Sequence, residues 1–188
     1  MNSIVYAILF IAFAFSDDPT ARFVIEVVHH GARSSPITNF NTSNIPWDNN
    51  HRHGELTNVG LREGYLLGRS LREKYMQKAD ILQEKYDDYQ IIAKTASYNA
   101  AVMSGYAQML GFYTPGVGDV LTEIAQGIAM PPIEDPSVVE KEATDLHDAG
   151  LPLYTQLIPI HTKEGGSDWL FSTLSQCNII KYIWYSFI

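Results

Sequence analysis

The sequence predicts an α/β fold, on three observations. Phe23-Val24-Ile25-Glu26-Val27-Val28 is apolar and largely β-branched, broken only by Glu26, as expected of a short strand. A long helix-periodic stretch opens near Thr57. A second strand candidate, Tyr89-Gln90-Ile91-Ile92-Ala93-Lys94, then runs through a short loop into a helical stretch over residues 101–110 that ends at Gly111. Strands alternating with helices imply a sheet covered by helices. In such sheets ligands bind in the loops at the carboxyl ends of the strands. That directs attention to the loop after Val28, His29-His30-Gly31-Ala32-Arg33-Ser34-Ser35-Pro36.

The residue types in this loop suit anion chemistry. Gly31 allows the backbone to approach a ligand closely. Arg33 offers a planar fork of donors for phosphate or carboxylate. His29 and His30 supply two imidazoles, each able to act as nucleophile, acid, base or metal ligand.

The rest of the chain is read in order. Its 188 residues suffice for one domain with a core, and its net charge of −8 argues against a nucleic-acid partner. Residues 4–15 are uniformly apolar, too short a run to span a bilayer and matched to the apolar region of a secretory signal peptide over residues 1–16. Asn41-Thr42-Ser43 is a glycosylation sequon, in keeping with secretion. Residues 34–50 are rich in Asn, Ser, Thr and Pro and read as a loop over the site. His51-Arg52-His53-Gly54 repeats an Arg-His-Gly triplet, but no apolar strand precedes it and it reads as polar loop. Thr57 can cap the helix that follows, with Leu67, Leu71 and Tyr75 on its apolar face and Arg62, Arg69, Arg72, Glu73 and Lys74 largely on the other. Pro115-Gly116-Val117-Gly118 reads as a turn, and Pro131-Pro132 with Pro136 as a loop. His147-Asp148 sits at the end of an exposed helix, and His161, in the strand candidate over residues 157–162, reads as structural. The lone Cys177 excludes an internal disulfide. Residues 178–188 form an atypical apolar tail resembling an aggregation-prone strand.

The loop at His30 resembles the signature of the histidine acid phosphatases, Arg-His-Gly-x-Arg-x-x-Pro or a close spacing variant. The resemblance extends through Leu56-Thr57-x-x-Gly60, Leu67-Gly68-x-x-Leu71-Arg72-x-x-Tyr75, Met103-Ser104 and Pro159-Ile160-His161-Thr162. It implies that His30 is the nucleophile and forms a phosphohistidine, that Arg33 binds phosphate, and that His29 stands where the family's first phosphate-binding arginine belongs. A further phosphate-binding arginine falls on Ala100. The family's downstream His-Asp pair, which binds phosphate and protonates the leaving alcohol, has no counterpart at His147-Asp148, which precedes the strand match. The implied fold is a central mixed sheet flanked by helices, lacking the late strands and most of the helical cap, over residues 17–177 of a truncated family member. No cofactor and no metal are implied. The substrate is a small phosphomonoester, the location the secretory pathway, either secreted or lysosomal and vacuolar, and dimers are common in the family.

Two missing arginines and a histidine, at roughly 1.5–3 kcal/mol per charge-assisted hydrogen bond, predict impaired phosphoryl transfer. A missing acid penalises alkyl esters most, by about 10²–10⁴-fold, because activated aryl leaving groups need no proton. The competing readings are a non-catalytic phosphate-binding remnant and a fragment unable to fold. A metal site built from His29, His30, His51 and His53 finds no support in carboxylate or cysteine spacing.

Overall fold

The computed structural model describes residues 22–35, 53–163 and 171. The signal-peptide region, most of the 34–50 loop, His51, Arg52, Cys177 and the apolar tail lie outside the described residues. The elements are α1 (Asn58–Arg72), prolonged by a π-helical turn over Glu73–Lys78, then β1 (Ala93–Thr95), α2 (Asn99–Phe112), α3 (Glu123–Ile128), α4 (Ser137–Leu146), a 3₁₀ turn at Pro152–Tyr154, and β2 (Ile160–Thr162). β1 and β2 pair in parallel, with Ala93 opposite Ile160, Lys94 opposite His161 and Thr95 opposite Thr162. Helices with a parallel pair of strands are compatible with the α/β prediction.

α1 starts where the sequence says. Thr57 is its N-cap, and its hydroxyl accepts from the Gly60 N–H at 3.2 Å. α1 lies against α2 along Gly64 and Gly68, both buried, while Gly60, also buried, faces the Ala32 backbone. A methyl group on Gly64 would sit 3.1 Å from the Ala107 methyl, and one on Gly68 would meet the Gln108 carbonyl. The same holds from the other side, where a methyl on Gly111 would meet the Tyr65 carbonyl. The two helices therefore touch backbone to backbone. Beyond this seam Leu71, Met76, Phe112, Tyr113 and Ile158 form the core, with Leu67, Tyr75, Leu82, Tyr86, Ile91 and Met109 packed around it. Tyr113 meets Phe112 and Tyr86 edge-on, at centroid distances of 5.2 and 5.8 Å.

Three expectations are corrected. Arg72 is not on the polar face of α1. It is buried, donates to the Phe112 carbonyl at 3.2 Å and pairs with Glu84. A last-turn carbonyl of α2 has no partner within its own helix, and Arg72 satisfies it. The strand expected at 89–94 begins only at Ala93. Asp87 closes a turn ahead of it, its side chain accepting from the Tyr89 N–H at 2.9 Å and its carbonyl from the Gln90 N–H at 3.0 Å. Residues 23–28 are not a strand. Phe23, Ile25 and Val27 are 79%, 73% and 63% exposed, and no other described segment supplies their backbone with hydrogen bonds. β-branched composition favours a pleated surface, but a ladder needs a neighbouring backbone.

The helix seam sets a paired test. Gly68→Ala should destabilise the protein by about 1–3 kcal/mol through overpacking, although alanine is the better helix former. Gly127→Ala, in α3 with nothing within 4 Å of the added methyl, should stabilise by about 0.5–1 kcal/mol. Urea denaturation of both variants measures the contrast.

Candidate active site

The loop of residues 29–35 is fastened to α1, to α2 and to the segment just before α1. The Gly31 N–H donates to Ser104 Oγ of α2 at 2.9 Å. The Ala32 N–H donates to Glu63 Oε2 of α1 at 2.7 Å. The Ala32 carbonyl accepts from both the N–H of Thr57, at 3.0 Å, and its hydroxyl, at 2.8 Å. The Ser34 N–H donates to the Glu55 carbonyl at 2.9 Å, and the Glu55 N–H returns a bond to Ser34 Oγ at 3.1 Å. Residues 32–35 thus pair antiparallel with residues 54–57, immediately before α1. Gly31 lies on Gly60, so closely that a methyl on either would strike backbone of the opposing segment.

This scaffold fixes the His30 ring. Nδ1 of His30 lies 2.7 Å from the Gly31 carbonyl oxygen. A carbonyl only accepts, so Nδ1 carries the proton and the neutral ring keeps its lone pair on Nε2. Burial is the main cause that lowers the pKa of His30 below 6.5, opposed by the Gly31 hydrogen bond and reinforced by the charges of His29 and Arg33. The uncharged, nucleophilic form is therefore favoured at lower pH than for an ordinary imidazole. His29 stands next to it, the ring centroids 3.8 Å apart and tilted by 42°, with its own Nδ1 3.0 Å from the His30 carbonyl. Arg33 points its guanidinium over the Tyr98 ring, 5.6 Å from the centroid, and the same ring meets His30 edge-on at 5.8 Å. Sequence reasoning missed Tyr98. The available signal was an aromatic residue at the N-cap of α2, where Ser, Thr, Asp or Asn is usual. It also missed Glu63, whose role depends on the three-dimensional return of the loop to α1.

The remaining candidates fall elsewhere. Ala100 is fully buried in the first turn of α2, beside the loop's anchor Ser104. Asn99 Nδ2 donates to Glu55 Oε1 at 2.9 Å, tying the start of α2 to the segment before α1. His147 is the C-cap of α4, and the Asp148 carboxylate accepts from the Tyr154 hydroxyl at 2.7 Å. His161 is exposed on β2, opposite Lys94. His53 Nδ1 lies 3.2 Å from the Ser35 carbonyl. Among the described residues no group of three or more His, Cys, Asp or Glu side chains is placed to hold a metal ion. An open depression of about 530 Å³, lined by Gln83, Lys85, Tyr86, Asp87, Asp88 and Pro159, includes none of the loop residues.

No family model matches the chain. Individual proteins do. The lysosomal acid phosphatase of Xenopus laevis is 29% identical over 116 residues, which cover 60% of this chain and 26% of that protein. The prostatic acid phosphatase of Homo sapiens is 30% identical over 97 residues, covering 50% of this chain and 24% of that protein. Caenorhabditis elegans proteins with acid phosphatase names match at 27% to 31% identity. Over part of its length the chain is similar in sequence to these acid phosphatases. It spans about a quarter of the length of the frog and human acid phosphatases. Among the described residues no helix is long and apolar enough to cross a membrane.

The loop anchors give a direct test. Glu63→Ala removes the acceptor of the Ala32 N–H and should cost about 1 kcal/mol of stability. Amide exchange at Ala32 should accelerate with it, while Glu63→Gln, which retains an oxygen acceptor, should preserve most of the protection.

Proposed function

We propose that the chain carries out acid-phosphatase chemistry on phosphate monoesters through His30. The observation that carries this reading is the imidazole held through Nδ1 by its neighbour's carbonyl, with Nε2 left as the nucleophilic nitrogen and Arg33 in the same loop. In the proposed reaction Nε2 forms a bond to phosphorus as the ester P–O bond breaks, and the leaving oxygen departs with the electron pair. Water then attacks the phosphohistidine and releases inorganic phosphate, returning His30 to its free form. Arg33 neutralises charge on the phosphoryl oxygens, and His29, when protonated, adds a single-point charge in place of a guanidinium fork.

The same reading makes the chemistry slow. His29 stands for one arginine, Ala100 for another, and Asp148 is engaged by Tyr154 and serves no leaving group at His30. The buried methyl of Ala100 gives a specific reason to carry a second reading, a phosphate-binding relative without turnover. The proposed architecture is a histidine-phosphatase-like sheet flanked by helices over residues 17–177. The proposed location is the secretory pathway, following the leader-like residues 1–16 and a relative named lysosomal.

Rapid quenching of the purified protein with an aryl phosphate should trap an acid-labile phosphoryl group on His30, located by mass spectrometry and absent from His30→Ala. A chain that binds phosphate but never forms this adduct is the non-catalytic relative. His29→Arg should raise kcat/KM by about tenfold, one charge-assisted hydrogen bond in the transition state.

The pH profile provides a separate check. The neutral imidazole is the reactive form, and its pKa is lowered from 6.5. The nucleophile stays uncharged as the medium is acidified past 6.5 and is lost only at the lower pKa. The acid limb of kcat/KM should therefore fall below pH 6.5, and a limb at or above that value contradicts the burial seen here.

A further inference from the structure

Among the described residues, Tyr98 is the one aromatic side chain placed against both His30 and Arg33. Its ring meets the His30 ring at 87° and 5.8 Å, and the Arg33 guanidinium lies 5.6 Å from its centroid. It occupies the N-cap position of α2, yet its side chain makes no capping hydrogen bond. Its hydroxyl has no hydrogen-bond partner among the described residues. The side chain is 43% exposed, so a wide aromatic surface faces solvent next to the nucleophile. Neither capping nor core packing accounts for this placement.

We propose that Tyr98 is a specificity-determining residue, a wall against which an aromatic leaving group lies, and that the ligands of this site are aryl phosphate monoesters. This rests on the phosphate reading of the His30 loop. An ester held by Arg33 and approached by His30 must pass beside the ring that flanks both. An aryl group there gains an aromatic contact that a short alkyl group lacks. The guanidinium held against the ring face is also confined before the ligand arrives, which reduces the ordering that binding requires. The ground for an aryl preference is thus independent of leaving-group acidity. It is a contact made in the bound state and is measurable without turnover.

The test uses two non-hydrolysable ligands with the same head group, phenylphosphonate and methylphosphonate, titrated calorimetrically into the purified full chain. The aryl ligand should bind about three- to tenfold more tightly, the range expected of one aromatic pair. Tyr98→Phe should keep that ratio, and Tyr98→Leu should bring it close to one. A ratio of one in the unaltered protein, or a ratio that survives Tyr98→Leu, overturns the assignment. The ratio in the unaltered protein decides the matter by itself if the leucine variant does not fold. Failure to bind either phosphonate overturns both this assignment and the phosphate site beneath it. A clear aryl preference without a trappable phosphohistidine supports Tyr98 and removes only the catalytic step.

Discussion

The site depends on one contact, the seating of the Gly31–Ala32 peptide on the first turn of α1. Gly60 leaves the space for it, and a methyl there would strike the Ala32 backbone. Thr57 completes it with a single hydroxyl, which caps α1 through the Gly60 N–H and donates to the Ala32 carbonyl. The hydroxyl is both acceptor and donor, and Thr57 is fully buried, so both halves of its capacity are needed. From this contact the chain is held in two directions. Ser104 receives the Gly31 N–H from α2, and the Gly64–Gly68 stripe locks α2 to α1. The geometry of His30 is thus inherited from a helix pair and does not require a strand under the loop. The loop is held in this way although residues 23–28, next to it, pair with no other described backbone.

That division explains what the sequence made legible. Local signals were sound where local energies decide. Thr57 caps α1 as expected, the helix predicted over residues 101–110 lies within α2, and the turn at Pro115–Gly118 is where composition puts it. Signals failed where a distant partner decides. The β-branched run at 23–28 has the right composition for a strand and no described neighbour to bond with. Arg72 looked like one more surface cation in an Arg- and Lys-rich helix. Only the position of Glu84 and of the Phe112 carbonyl, twelve and forty residues further along the chain, makes it a buried structural group. The glycines of α1 were visible at four-residue spacing, but a glycine stripe has meaning only once the facing helix is known. Of the candidate site, His29, His30 and Arg33 do fall in one loop, and the ring that joins them, Tyr98, comes from the start of another element.

The adjacency of the two imidazoles imposes a condition on the proposed chemistry. With centroids 3.8 Å apart, a proton on His29 raises the cost of a second on His30, and the nearby guanidinium acts in the same direction. Replacing an arginine by histidine therefore does more than remove a fork of donors. It places a second imidazole against the proposed nucleophile, and a charge there opposes a proton on His30. A phosphate site needs positive charge and a neutral nucleophile together. Here burial of His30 works against its own protonation while leaving the more exposed His29 ring in contact with solvent. The one arrangement that satisfies both demands has the charge on His29 and Arg33 and the free lone pair on His30. Acid eventually removes that lone pair, and the burial of His30 moves the loss to lower pH. An arginine in place of His29 would supply the fork of donors and a charge that does not titrate in the physiological range.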